Sequence, residues 1–254
     1  MLQDLSDPST GVDLKGPEAA KSVVHAPPGE AFSVPGYLKR IYTWCYLHPR
    51  MVPLLDRQIV AQAILWGNFG RLTRRALEEF GPGQHVLQPA HAYGLVARQL
   101  AERLGPDGHL DLSDIAPIQV ERGHRKLAGL GNVTVWRADA AHPPQRDYDG
   151  INCFFLLHEV PDSYKRRIVD SLLGALKPGG KAVFIDYHRT RPLHPLRPVM
   201  WSVFRFLEPF ANSLCSSEIR NFASHAENFE WSKETYFGGL YQKVVARRVG
   251  AIES

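Results

Sequence analysis

The stretch Gln84-His85-Val86-Leu87-Gln88, then Pro89-Ala90-His91-Ala92-Tyr93-Gly94, then Leu95-Val96-Ala97-Arg98-Gln99-Leu100, constrains this chain more than any other. It predicts a buried strand, a tight loop and a helix with apolar residues at Val96, Leu100 and Leu104. That is the opening of a doubly wound α/β sheet, where a ligand sits at the carboxyl end of the first strand. The loop is unusual for such a site. Loops that let backbone approach a nucleotide-type ligand carry several glycines. Here only Gly94 remains, with Ala90 and Ala92 as the nearest small residues. Pro89 removes a backbone donor, and His91 and Tyr93 put large polar groups where a plain cradle has none.

Strand and helix patterns alternate from there on. A strand is expected over 109–114, a helix from Pro117 to about Leu130, and a strand over 133–138. The continuous apolar run 151–157 reads as a central parallel strand covered on both faces. A helix carrying Ile168, Val169, Leu172, Leu173 and Leu176 stops at Lys177-Pro178-Gly179-Gly180, and a fifth strand covers 181–187. Segments 229–237 and 240–248, joined by Gly238-Gly239, read as an antiparallel hairpin. The expected fold class is α/β: a Rossmann-like, mostly parallel sheet closed by a C-terminal antiparallel hairpin.

Two additions flank this core. Residues 34–80 predict two or three helices with wide apolar faces, including Tyr37, Ile41, Trp44, Cys45 and Leu47, which form an N-terminal cap. Residues 191–228 hold a dense aromatic helix from Leu193 to Phe210, read as a lid over the carboxyl edge of the sheet. Residues 1–33 lack periodicity and read as a mobile tail. The expected organisation is therefore a tail at 1–33, a cap at 34–80, a nucleotide-binding core at 81–190, a lid at 191–228 and the hairpin at 229–254.

A hydrophobic content of 44% is enough to bury a sizeable core. The net charge of +4 permits attraction to an anionic surface. Cys45, Cys153 and Cys215 have no paired spacing, so reduced thiols and no metal cluster are expected. No long apolar run opens the chain, so neither a signal peptide nor a transmembrane helix is expected. The basic residues are scattered and no recognised motif accompanies them, which argues against nucleic acid as a partner. The cap mixes Trp, Tyr and Arg, as interfacial helices do; plain packing on the core is the competing reading.

Candidate site residues follow from the rule that ligands bind at strand carboxyl ends. Asp114 ends the second strand, where a carboxylate accepts ribose hydroxyls; a helix N-cap is the structural alternative. Asp139 follows the third strand, placed to accept a hydrogen bond from an adenine amino group or to serve as a turn residue. If the fourth and fifth strands are neighbours, His158, Glu159, Asp186, Tyr187 and His188 converge. Such a set suits a divalent metal or general acid-base chemistry; capping and turn roles compete with both.

Taken together, Asp114, Asp139-Ala140, Phe155-Leu156-Leu157-His158-Glu159 and Leu176-Lys177-Pro178-Gly179-Gly180-Lys181 resemble the class I S-adenosylmethionine-dependent methyltransferases. The resemblance spans Gln84 to His188 and implies that fold, with a helical cap and an aromatic lid added. A narrower likeness covers most of the chain. Val34-Pro35-Gly36-Tyr37-Leu38, Tyr46-Leu47-His48-Pro49-Arg50, Ile64-Leu65-Trp66-Gly67-Asn68-Phe69, Phe154 to Glu159, Asp186-Tyr187-His188 and Leu207-Glu208-Pro209-Phe210 are similar to the bacterial rhodoquinone biosynthesis (RquA) family. That resemblance implies conversion of ubiquinone to rhodoquinone. A ring methoxy group is replaced by an amino group, with S-adenosylmethionine as amino donor and Mn2+ as metal. It implies cofactor contacts at Gln88, Ala90, Gly94, Asp114, Ile115, Asp139, Ala140 and Phe155. Catalytic roles fall to His91, Tyr93, His158 and Tyr187, and metal ligation to His158, Glu159, Asp186 and His188. It also implies a cytoplasmic enzyme held peripherally at the inner membrane, where its polyprenyl substrate lies. An ordinary quinone or lipid methyltransferase and a non-catalytic methyltransferase-like binding subunit are the alternatives.

Overall fold

The computed structural model describes residues 34–43 and 47–250. The expected tail lies outside the described residues, as do Trp44, Cys45 and Tyr46 of the expected cap and the last four positions. Four short helices come first: α1 (Gly36–Ile41), α2 (Met51–Leu55), α3 (Gln58–Ile64) and α4 (Phe69–Leu77). Then follow β1 (His85–Gln88), α5 (Val96–Leu104), β2 (His109–Asp114), α6 (Pro117–Leu127), β3 (Val133–Arg137) and β4 (Tyr148–Phe154). The chain continues with α7 (Asp162–Gly174), β5 (Leu176–Tyr187), α8 (Arg197–Phe206), α9 (Asn212–Ser216), β6 (Phe229–Tyr236) and β7 (Tyr241–Arg248).

The strands form one sheet in the order β3-β2-β1-β4-β5-β7-β6. β1 to β5 run parallel, and β7 lies antiparallel between β5 and β6. This is the expected Rossmann-like sheet closed by a hairpin. The strand order reverses between β1 and β4, so the crevice for a ligand opens at their carboxyl ends.

Successive strand residues face opposite layers, and two cores result. Val86, Phe154, Val183 and Ile185 pack with α4, α5 and the lid residues Met200 and Phe204. Leu87, Ile151, Cys153 and Phe184 pack with Ile168, Val169 and Leu172 of α7. Helix α4 shows how the cap is seated. Phe69, Leu72, Thr73, Ala76 and Leu77 are buried, while Arg71, Arg74 and Arg75 are exposed. A side chain as fully buried as Leu72 contributes roughly 1.5–3 kcal/mol. Just past α4, Glu79 accepts from Lys181 and Lys243, both at 2.9 Å, and so fastens the cap to β5 and β7.

The strand ends differ from expectation in two places. β4 stops at Phe154, three residues before the end of its apolar run. The carboxylate of Asp186 accepts hydrogen bonds from the Leu157 and His158 amides at 2.9 and 3.3 Å. Those bonds turn Leu157–Glu159 into a single 3₁₀ turn. β5 begins at Leu176, before the Pro-Gly-Gly turn signal. A register shift opposite Tyr148 and Gly150 absorbs that segment within the ladder. The hairpin turn presses on the start of the lid: Gly239 (φ +88°) lies where a Cβ would stand 2.7 Å from the Arg189 carbonyl oxygen. Among the described residues, no helix is long and apolar enough to cross a membrane.

Candidate active site

β1, β2, β4 and β5 end beneath the cap and lid at a cavity of about 360 Å³. Its apolar walls come from Leu38, Leu65 and Phe69 of the cap and Met200, Val203 and Leu207 of the lid. Its polar groups are His91, Tyr93, Asp114, Gln119, Asp139, His158, Glu159, Tyr187 and Glu208.

Asp114 is half-buried at the end of β2. It accepts the His91 amide at 3.0 Å and the Ala116 amide at 2.8 Å, so it caps a turn while still facing the cavity. Burial pushes its carboxyl up to about 6, against the pull of those amides. Ile115, Ala140 and Phe155 line the cavity beside it. Asp139 lines it too, but both its oxygens are engaged, by the Ala141 amide at 2.9 Å and the Tyr164 hydroxyl at 2.6 Å. Phe155 sits in the left-handed region (φ +51°), fixed by its amide bond to the Ile185 carbonyl. A bulky residue held that way is a mark of functional sites.

In the loop, His91 is buried and its Nδ1 lies 3.1 Å from Gln119 Oε1. The Gln119 amide donates from Nε2 to the Tyr93 hydroxyl at 3.3 Å, which orients Oε1 toward the imidazole. His91 therefore carries its proton on Nδ1. Burial, then the charge on Lys126, push its pKa down to about 4, so the ring is neutral.

At the far end, Asp186 holds His158 through Oδ1 and Nδ1 at 2.9 Å. His158 Nε2 lies 3.6 Å from Glu159 Oε1. Burial opposes charge on this ring, but Asp186, Glu208 and Glu159 together raise its pKa to about 9. His158 is thus an imidazolium at neutral pH, a donor rather than the base its position suggests. The Tyr187 ring meets it edge-on with centroids 4.9 Å apart, and burial keeps that phenol protonated. Glu208 enters from the end of the lid, where its Oε2 accepts the Tyr42 hydroxyl at 2.8 Å. The buried Lys165 ammonium fixes this segment, donating to the Phe210 carbonyl at 2.8 Å and to the Val160 carbonyl at 2.7 Å.

Three sequence-derived candidates point elsewhere. Gln88 is buried in the sheet, bonded to the Ala90 carbonyl and to Asn152. Gly94 faces the cap, its amide 3.1 Å from Asp56 Oδ1. His188 turns to the hairpin, where Nδ1 meets the Gly239 carbonyl and Nε2 lies 2.8 Å from Lys233 Nζ. The proposed metal set is therefore not assembled. Asp186 already serves three backbone amides and an imidazole. Among the described residues, no group of three or more His, Cys, Asp or Glu is arranged to hold an ion. These residues do not fit a manganese centre. Glu208, Tyr42, Gln119 and Asp56 escaped sequence reasoning. Only the Glu208-Pro209 break at the end of an aromatic helix hinted at one of them.

A family profile described as "Methyltransferase domain" matches residues 86–180. That stretch is similar to the methyltransferase family, and the seven-stranded sheet has the Rossmann-like class I methyltransferase fold. The "Ubiquinone/menaquinone biosynthesis C-methyltransferase UbiE" of Ectopseudomonas mendocina is 29% identical over 174 residues, 65% of this chain and 66% of that protein. Its namesake from Shewanella sediminis is 29% identical over 58% of this chain and 59% of its own length. Solved structures agree on the fold. An O-methyltransferase family protein from Burkholderia thailandensis has a TM-score of 0.64 at 14% identity, covering 81% of this chain and 62% of that one. A SAM-dependent methyltransferase from Aquifex aeolicus has a TM-score of 0.54 at 20% identity, covering 80% and 99%.

Proposed function

We propose that this chain uses S-adenosylmethionine to modify the ring of a polyprenyl quinone. One observation carries the reading: a single cavity joins a nucleoside-type end at Asp114 to an aromatic and apolar chamber under cap and lid. The cofactor fits the donor set. Asp114 retains acceptor capacity for ribose hydroxyls, and Ile115 and Ala140 offer apolar contact for a base. Bound S-adenosylmethionine supplies the transferred group.

Two ring chemistries share this cavity. Methyl transfer to a ring carbon is the one that the relatives' names carry. Exchange of methoxy for amino, from ubiquinone to rhodoquinone, is the one the narrower sequence likeness implies. The departure of the loop from a glycine cradle favours the exchange. In either case His158 Nε2 donates to a quinone carbonyl oxygen, drawing electron density from the ring. On methyl transfer Glu208 takes up the ring proton; on exchange it passes the amine proton to the departing methoxy group, which leaves as methanol. Burial holds the Glu208 carboxyl above the usual carboxylate range, against the pull of the His158 imidazolium and the Tyr42 hydroxyl.

The prenyl tail needs an apolar exit. Ile64, Trp66 and Leu207 line the cavity and are also exposed, and Trp201 and Phe206 project from the same lid helix. Arg197 and Arg205 lie on that helix, so the rim suits an anionic bilayer surface. Trp201→Glu together with Phe206→Glu is expected to abolish co-sedimentation with anionic vesicles.

The deciding experiment incubates the protein with a ubiquinone and S-adenosylmethionine and reads the product mass. Loss of methoxy with gain of amino, its nitrogen traced to labelled cofactor, supports the exchange. Gain of a methyl group supports the methyltransferase reading and removes the exchange. No product and no cofactor binding removes both.

A further inference from the structure

Lys165, on α7, has a side chain 0% exposed. Its Nζ donates to the Val160 carbonyl at 2.7 Å, to the Phe210 carbonyl at 2.8 Å and to Asp162 Oδ1 at 2.9 Å. An ammonium has three protons, and here each has an acceptor. A neutral amine has only two, so the three acceptors mark the charged form. Lys165 itself does not line the cavity.

The two carbonyls belong to distant parts of the chain. Val160 follows the 3₁₀ turn Leu157–Glu159, which carries His158. Phe210 lies in a second 3₁₀ turn, Pro209–Ala211, which the lid enters through Glu208. The Ala211 amide donates to the Glu208 carbonyl at 3.0 Å and closes that turn. The two turns pack against each other, and the ammonium bridges them. From the other side, Phe210 packs with Leu38 and Tyr42 of the cap, and the Tyr42 hydroxyl donates to Glu208 Oε2. Glu208 is therefore fixed twice, its carboxylate by the cap and its backbone by the core.

A buried charge is a costly way to fill space. The Asp162 partner is 58% exposed, and an ion pair that solvated adds little stability. A Met at this position would occupy similar room without the desolvation. What the ammonium adds is direction: it holds two main-chain carbonyls at one point.

We infer that Lys165 is a positioning residue for the proton-transfer step: by joining the two turns it sets Glu208 beside His158 on the cavity wall. The inference rests on the role given to Glu208 above and deepens it.

The test is a double-mutant cycle read in kcat, with a ubiquinone and S-adenosylmethionine as substrates. Lys165→Met should lower kcat about tenfold to hundredfold, as misplacement of a reacting group does. The KM for S-adenosylmethionine should stay within about twofold. Because Lys165 acts through Glu208, Glu208→Gln and the double variant should turn over alike, within about twofold. A larger additional loss in the double variant makes Lys165 a purely structural residue and overturns the inference. Native-state hydrogen exchange decides the matter on the unaltered chain, where folding of a variant is not at issue. One ammonium joins the turns, so the Glu159 and Ala211 amides should open as one unit, with protection factors within about threefold. Protection outside that range overturns the inference. A native protein without turnover removes the proton-transfer reading of Glu208, and the inference with it.

Discussion

Behind the loop end of the cavity a single carboxylate, Asp56, faces two cations, Arg122 and Lys126. At the opposite end a single imidazolium, His158, faces Asp186, Glu159 and Glu208. Both clusters are buried and both join distant elements, yet their charge balances are opposite. The positive cluster is sealed by the cap and holds structure. The negative one lines the cavity and is open to a ligand. A buried ion pair is retained at a cost in desolvation. The surplus charge left over in each cluster is what shapes the reaction space between them.

The comparison breaks most severely at Asp186. Replacing it by Ala leaves His158 and three backbone amides without their acceptor. A loss of about 3–5 kcal/mol is expected in urea unfolding, together with loss of any turnover. Between the clusters, Asp114→Ala should weaken S-adenosylhomocysteine binding about tenfold to hundredfold and, by freeing the His91 and Ala116 amides, cost about 1–3 kcal/mol of stability without unfolding the chain. Unchanged affinity would remove Asp114 from the cofactor site. Since the Asp114 carboxyl titrates at about 6, affinity should also fall as pH drops below that value, and Asp114→Asn should flatten the dependence.

Smaller effects sharpen the contrast. The His158 pKa is raised from 6.5 to about 9 in the folded state. Its stabilising contribution is therefore complete below pH 6.5 and is lost as pH rises through about 9. Chemical denaturation across that window should show stability falling with pH, and His158→Gln should abolish that part of the slope. Smallest of all, Tyr42→Phe removes one hydrogen bond from Glu208 and should cost about 1 kcal/mol. It should shift the acid limb of the activity profile upward, because Glu208 would then hold its proton more tightly.

Element order, the β2 boundaries at His109–Asp114 and the Gly238-Gly239 hairpin were legible in the sequence. Apolar periodicity and turn chemistry act over a few residues, so the chain writes them locally. The positions of Asp114, His158 and Asp186 at strand ends followed from that pattern. Tertiary structure alone decided which of these groups face one another. Asp56 reaches Gly94 across 38 residues and Lys126 across 70, and Tyr42 reaches Glu208 across 166. It also ended β4 early, since the pull of Asp186 on two amides outweighs the propensity of an apolar run. β5 ends at Tyr187, so the chain leaves the pleat before His188: Asp186 meets His158, while His188 meets the hairpin. Burial and charge depend on partners brought from afar. A chain can therefore announce its sheet in its own periodicity, while the protonation state of each histidine waits on the fold.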